Sequence, residues 1–465
     1  MQTFPGTPKP APRGRGRSAA LVVLLALAGS AAIQLPRRPP PAVLYEGERI
    51  VIGDASAPIE NGAFLVENGT IRAVGVKGRL SLPAGATRVD LTGKTVIPTL
   101  VNAHVHIGYE GFTSWGAGNY TPENVLNHLE REAFYGVGAT QSVGSSPTDA
   151  SIAFQLDQRA GRFPPASRFF FMPGMAPPNG GPDAILMKGT AALHAVYEVS
   201  TAAEARAAVR GMAEKHLANV KIWVDDRRGT YPKMTPDVYN AVIDEAHAHH
   251  MLVHAHAIAL PDQKAVVRAG VDVLVHTVAD EKLDDEYLAI LREKKPYWTT
   301  VIGLGDRSEA CDGDAFVDVS YPPETLKQIR ASSCGPRGAN ASTREEMLAY
   351  NFPKMIESGA RLVLGTDAGI TSRHAFGWAD HHEMLRWVQL GFTPAQAIVA
   401  ATSRPATLLG IRDMGTIAAG KRADFVVLDA NPLEDIRNAR KIASVYLDGV
   451  MLNRDGLAAE FKTGR

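Results

Sequence analysis

His104 and His106 stand two residues apart in the apolar run VNAHVH (101–106). In an extended strand, residues two apart share a face, so both imidazoles point the same way. Neutral imidazoles on one face can begin the ligand set of a zinc-like divalent ion. An isolated pair of this kind also suits a plain buried position, since histidine is intermediate in burial. Further polar residues occupy comparable places. His254 lies in MLVHAHA (251–257), His276 ends VDVLVH (271–276) and Asp367 ends RLVLGTD (361–367). A buried strand has little reason to end repeatedly in His or Asp unless something pairs with those groups. Lys221 sits inside VKIWV (220–224) among apolar neighbours. An ammonium there needs a partner or gives up its proton; pairing with Asp225 or snorkelling to water is the alternative. Together these residues predict a metal site that activates water.

The elements that must position them alternate. VNAHVH, VKIWVDD (220–226), MLVHAHA, VDVLVH and RLVLGTD read as strands followed by amphipathic helices. Thr201 and Glu204 form a capping-box pattern, Pro236 opens a helix with Val238, Val242 and Ala246 four apart, and Gly270 fits a C-terminal cap for a helix over 261–269. Such alternation predicts a parallel sheet closed by crossover helices, a (β/α)₈ TIM-like barrel over residues 99–406. Both chain ends read as short strands with Asn-Gly and Asp-Gly turns, residues 43–98 and 407–455, which predicts one small β-sandwich with the barrel inserted in it, followed by a tail at 456–465. WTTVIGL (298–304) reads as strand seven, and the Gly- and Pro-rich segment after it reads as loop. His247, His249 and His250 fall at a helix end, where a positive side chain suits the dipole. They are expected at the surface, and so are His381 and His382.

The chain has 465 residues, 45% hydrophobic and 21% charged, an ordinary globular balance. Acidic and basic side chains cancel, which leaves no basic excess for nucleic acid. Residues 1–42 differ: Arg13, Arg15 and Arg17 precede the apolar run AALVVLLALAGSAAI and then a Pro-rich stretch. This predicts an export signal and a periplasmic or extracellular protein. Membrane contact is expected only if the segment stays uncleaved as an anchor, and the run is short for a full span. The two cysteines, Cys311 and Cys334, would suit one disulfide in an oxidising compartment.

The motifs VIPTLVNAHVH (96–106), VKIWV, LVHAHA (252–257), AGVDVLVH (269–276), VLGTDAG (363–369) and MGTIAAGKRADFVVLD (414–429) together resemble the amidohydrolase superfamily, within it the imidazolonepropionase-like group that includes prolidase-type dipeptidases. The resemblance spans nearly all of residues 43–452. It implies two divalent metal ions, with zinc the expected metal, held by His104, His106, a carboxylated Lys221, His254, His276 and Asp367. His254 and His256 both point inward by period two; the resemblance favours His254 as ligand and His256 as a neighbour touching substrate. His374 could line the pocket mouth as a His does in relatives, and Tyr109, Arg307 and Arg373 are candidate partners for a substrate carboxylate. Two departures alter the surroundings: the family usually reads P-G-L-[IV]-D where this chain has Pro98-Thr99-Leu100-Val101-Asn102, and its usual Glu before the strand-six His is Val275.

What the resemblance implies is hydrolysis of a C–N amide bond by metal-activated hydroxide. Asp367 would take the water's proton and pass it to the leaving nitrogen. The substrate is expected to be a small molecule, a dipeptide or N-acyl amino acid. A cyclic amide of the imidazolone type, or deamination at a single metal, is the alternative; a non-enzymatic binding protein would hold all these ligand-type residues unused. A homo-oligomer is compatible with everything above.

Overall fold

The computed structural model describes residues 42–464 apart from 182–189, 191–192, 279–280, 307–308, 335–340 and 371–373. Residues 1–41 of the expected signal and linker, together with Arg307 and Arg373, lie outside the described residues. Strands β1 (Val43–Glu46), β2 (Arg49–Ile50), β3 (Gly62–Glu67), β4 (Thr70–Val76), β5 (Thr87–Asp90) and β6 (Thr95–Pro98) come first. The middle carries β7 (Leu100–Val105), β8 (Val137–Val143), β9 (Arg168–Met172), β10 (Gly174–Ala176), β11 (Val196–Glu198), β12 (Asn219–Trp223), β13 (Leu252–His256), β14 (Val273–Val275), β15 (Tyr297–Thr299) and β16 (Arg361–Val363). Strands β17 (Phe425–Leu428), β18 (Ile442–Leu447) and β19 (Val450–Met451) follow.

The two chain ends meet in one sheet, ordered β19-β18-β17-β6-β2, in which β17 pairs antiparallel with β6. A second sheet, β4-β3-β1-β5, shares a core with it. Val43, Tyr45, Phe64 and Ile71 from one pack with Val96, Phe425 and Val427 from the other. The β3–β4 connection uses Asn68 and Gly69 at φ 49° and 73°, the left-handed pair that a tight hairpin between right-twisted strands requires.

The middle of the chain is a parallel α/β fold. Strands β11-β10-β12-β13-β14-β15-β16 form one parallel sheet and β7-β8-β9 another. Backbone bonds join one pair of margins: Ala103 N donates to Leu364 O and His106 N to Ala368 O, both at 2.8 Å. Alternation along the strands separates two layers. Val220, Ile222, Val253, Ala255 and Leu274 pack toward helices through Val238, Val242, Ala246, Val266 and Leu291. On the other face Leu252 packs with Ala103, Val273 and Val363. His254 and His256 follow Leu252 at period two, so the same alternation that buries Leu252 carries both rings to that face.

The helix starts follow their caps. Thr201 and Glu204 make a reciprocal capping box at 3.2 and 3.1 Å, Pro236 is the first residue of helix Pro236–Ala248, and Gly270 caps helix Leu260–Ala269 at φ 101°. Two expectations are corrected. Strand seven stops at Thr299 rather than running to 304, because Val301 turns to φ 53° and a 3₁₀ turn begins at Gly303. The segment after it is largely helical, with Ala315–Asp318, Pro323–Ser333 and Ala341–Glu357. Pro323 sits at a helix start, where its missing N–H costs nothing. Cys311 and Cys334 are disulfide-bonded there, with Cα atoms 5.5 Å apart. Among the described residues, no helix is long and apolar enough to cross a membrane.

Candidate metal centre

The first strand of the parallel fold and the chain after the last one bring three groups together. His104 Nε2 lies 2.7 Å and His106 Nε2 3.2 Å from Asp367 Oδ1. Ligand-type atoms of the three residues lie within 4.8 Å of one another, and all three residues are buried. His276 Nε2 stands 3.8 Å from Asp367 Oδ2. Lys221 pairs in register with His254 and Trp223 with His256 across β12 and β13. Glycines make room here: a Cβ on Gly174 would stand 2.4 Å from the Trp223 ring, and one on Gly144 would stand 2.8 Å from Lys221 Cγ.

His276 and Asp367 adopt φ 72° and 58°, left-handed values that non-glycine residues rarely take. Such backbone strain persists where surrounding structure over-determines it, and it clusters at functional sites.

The electrostatics suit a cation. Burial, with Lys221 next, lowers His104 to about 4, and burial pushes His254 and His276 well below the usual histidine value. These rings are therefore neutral at physiological pH, the form that binds metal. Burial opposes charge on Asp367, but hydrogen bonding from the His104 and His106 rings outweighs it and holds the carboxyl well below its ordinary range. His254 is fully buried, and neither of its ring nitrogens has a hydrogen-bond partner among the described residues. An unsatisfied buried imidazole is costly, and a divalent ion is the partner this donor set fits.

A surrounding layer orients these rings. His106 Nδ1 meets Ser145 Oγ at 2.9 Å, and Tyr109 donates its hydroxyl to Ser145 O at 2.7 Å. Tyr109 is fully buried and its hydroxyl is committed to that carbonyl. His256 Nε2 lies 3.0 Å from Asp225 Oδ2, and its ring packs edge-on to His276 at 4.5 Å. His374 is buried, which together with nearby His382 lowers it to about 4. Glu383 accepts from Thr300 Oγ1, Ile302 N and Gly303 N, and so fixes the turn that leaves β15.

His247, His249 and His250 are exposed. The surface expectation for His381 and His382 is corrected: both are buried in helix Trp378–Gln389, bonded to Tyr135 O at 2.8 Å and Asp306 Oδ2 at 3.0 Å. That helix presents its polar residues to the loops beside the site, which a count along the helix does not reveal. Ser145 and Glu383 carried no sequence signal as parts of the site, and Asp225, read only as an alternative partner for Lys221, lies 3.0 Å from His256 Nε2.

The chain is 24% identical over 417 residues to 5-methylthioadenosine/S-adenosylhomocysteine deaminase of Halalkalibacterium halodurans, covering 82% of this chain and 83% of that protein. It is 24% identical over 266 residues to ochratoxinase of Aspergillus niger, covering 55% of this chain and only half, 50%, of that relative. A solved Xaa-Pro dipeptidase with methionine bound in its active site superposes with a TM-score of 0.70 at 23% identity, covering 88% of this chain and 99% of that one. The amidohydrolase family model matches residues 95–452, which include every candidate ligand. The chain belongs to the amidohydrolase family and is a hydrolytic enzyme acting on carbon–nitrogen bonds.

Proposed function

We propose that this enzyme cleaves the amide bond of a dipeptide or N-acyl amino acid, using a divalent metal centre held by His104, His106, Lys221, His254, His276 and Asp367. The observation that carries this reading is the pairing of Lys221 with His254 on adjacent parallel strands, both fully buried and in electrostatic reach of His104. A divalent metal such as zinc held there would supply nucleophilic water near neutral pH and would polarise a substrate carbonyl. The chain's own groups do the rest. Lys221 would act as its carbamate: the neutral amine adds to carbon dioxide, an N–C bond forms and a proton leaves, giving a carboxylate that would help hold the metal. Asp367, held ionised, accepts the proton of the attacking water and returns it to the leaving nitrogen. Ser145 at Nδ1 keeps the His106 Nε2 directed to Asp367. Asp225 orients His256, which with His374 is assigned to the substrate.

In this reading the two parallel sheets close into one (β/α)₈ barrel, residues 99–406, set in a β-sandwich of 43–98 and 407–455. The backbone bonds of Ala103 to Leu364 and of His106 to Ala368 support closure. Export is part of the proposal, supported by the Cys311–Cys334 bond.

Deamination at a single metal is the second reading, favoured by the relative named as a deaminase. A screen of the zinc-loaded chain against dipeptides, N-acyl amino acids and 5-methylthioadenosine separates the two. Amide cleavage supports the proposal. Ammonia release from the nucleoside without amide cleavage transfers the assignment.

A further inference from the structure

The strand end that carries His104 is tied to the rest of the fold through one side-chain amide. Asn102 is fully buried. Its Oδ1 accepts the His104 N–H at 2.9 Å, and its Nδ2 donates to Asp380 Oδ1 at 2.9 Å and to Thr366 Oγ1 at 3.0 Å. Thr366 Oγ1 accepts in turn from Ala368 N at 3.2 Å. One amide therefore spans both chain segments that bring ligands to the centre, the one with His104 and the one with Asp367.

Asp380, in helix Trp378–Gln389, faces Glu132 of helix Pro122–Phe134. Both are fully buried. Among the described residues, the backbone N–H of Gly377 is the donor directed at Glu132, and no side-chain N–H or hydroxyl satisfies either Glu132 oxygen or Oδ2 of Asp380. The contact between the two carboxyl groups is thus a hydrogen bond only while the pair retains a proton. Burial and the facing carboxyl hold Glu132 well above its usual range, and burial raises Asp380 to about 8.

This fixes the polarity of the network. Asp380 Oδ1 is an acceptor and the His104 N–H is a donor, so the residue between them must donate on one side and accept on the other. An amide does both, whereas a carboxylate only accepts. An Asp at this place would also press a third carboxyl group onto a buried pair. We propose that Asn102 is a positioning residue, an amide matched to the Glu132–Asp380 pair, and that this match sets the backbone of His104 and hence its imidazole in the metal centre. The consequence for metal affinity rests on the proposed metal centre; the matching itself does not.

The full chain is compared as wild type, Asn102→Asp, Asp380→Asn and the double variant, by thermal melting without metal and by zinc titration. Asn102→Asp is expected to lower the melting temperature by about 5 °C or more and zinc affinity by about tenfold or more. Asp380→Asn alone stays within about threefold in affinity, because an amide at 380 can accept from Asn102 and donate to Glu132. The double variant recovers to within about threefold of wild type. There a carboxylate at 102 accepts both from the new amide and from His104 N–H. A double variant no better than Asn102→Asp overturns the proposal, as does Asn102→Asp with wild-type melting and affinity. If Asn102→Asp fails to fold, recovery of folded protein in the double variant decides in the same way. Absence of zinc binding by the wild type would remove the metal reading instead, and the melting comparison would still decide the match.

Discussion

His104 Nε2 lies 2.7 Å from Asp367 Oδ1, so the first strand of the parallel fold and the turn after its last one meet at a single carboxylate oxygen. His106 Nε2 reaches the same oxygen at 3.2 Å. A carboxylate so placed suits the proposed double role of holding a cation and moving a proton. Asp367→Asn should lower kcat for amide cleavage by about 10²–10⁴-fold, the usual size of a general acid–base contribution, with a much smaller change in KM. Steady-state kinetics on the best substrate of the library screen checks this. A rise in KM with kcat unchanged would remove Asp367 from proton transfer.

Lys221 distinguishes a bridged centre from a simple one. Lys221→Ala should lose more activity than the about 10–100-fold typical of residues one contact removed from a metal. Acetate or propionate should partly restore it by standing in for the carbamate. Lys221→Arg should be inactive, since a guanidinium cannot bridge cations. Activity in Lys221→Arg contradicts the carbamate.

Much of this centre was legible in the sequence, for a simple reason. His104, Lys221 and His254 lie on short strands whose side chains alternate, with His106 one residue past its strand, so position along the chain fixes the face. His276 sits one residue past the end of β14 and Asp367 four past the end of β16, where the motif rather than periodicity pointed to them. The orienting groups were not legible. Asn102 meets Asp380, and Glu383 meets Gly303, across separate elements, and no spacing in one element encodes a contact with another. His381 and His382 were misassigned to the surface because a helix can be polar where it faces loops as well as where it faces water. The segment after strand seven looked irregular because Pro322 and Pro323 resemble breaks, yet Pro323 starts a helix.

Glu48 provides a pH test away from the metal centre. Burial is the main cause that raises its carboxyl to about 7. A raised carboxyl favours the folded state below its unfolded value, and that contribution is lost as pH rises through the folded value. Stability should therefore fall from about pH 5 to pH 8, and Glu48→Gln should flatten the fall by about 1–3 kcal/mol. Urea unfolding at the two pH values measures it. An equal loss in both proteins would show that Glu48 does not titrate in this range.

The disulfide closes a chain segment of separation 23. Replacing Cys311 and Cys334 together by Ser should cost about 3 kcal/mol in unfolding free energy, through the entropy regained by the unfolded chain. Denaturant titration of the oxidised protein and the double variant checks it, and equal midpoints and slopes would contradict it.

Elemental analysis of the purified enzyme alongside its activity decides whether the metal centre is functional. About two divalent ions per chain are expected, zinc foremost, with amide cleavage lost on chelation and regained on adding zinc. A metal-free chain that cleaves its C–N substrate at full rate would contradict this expectation.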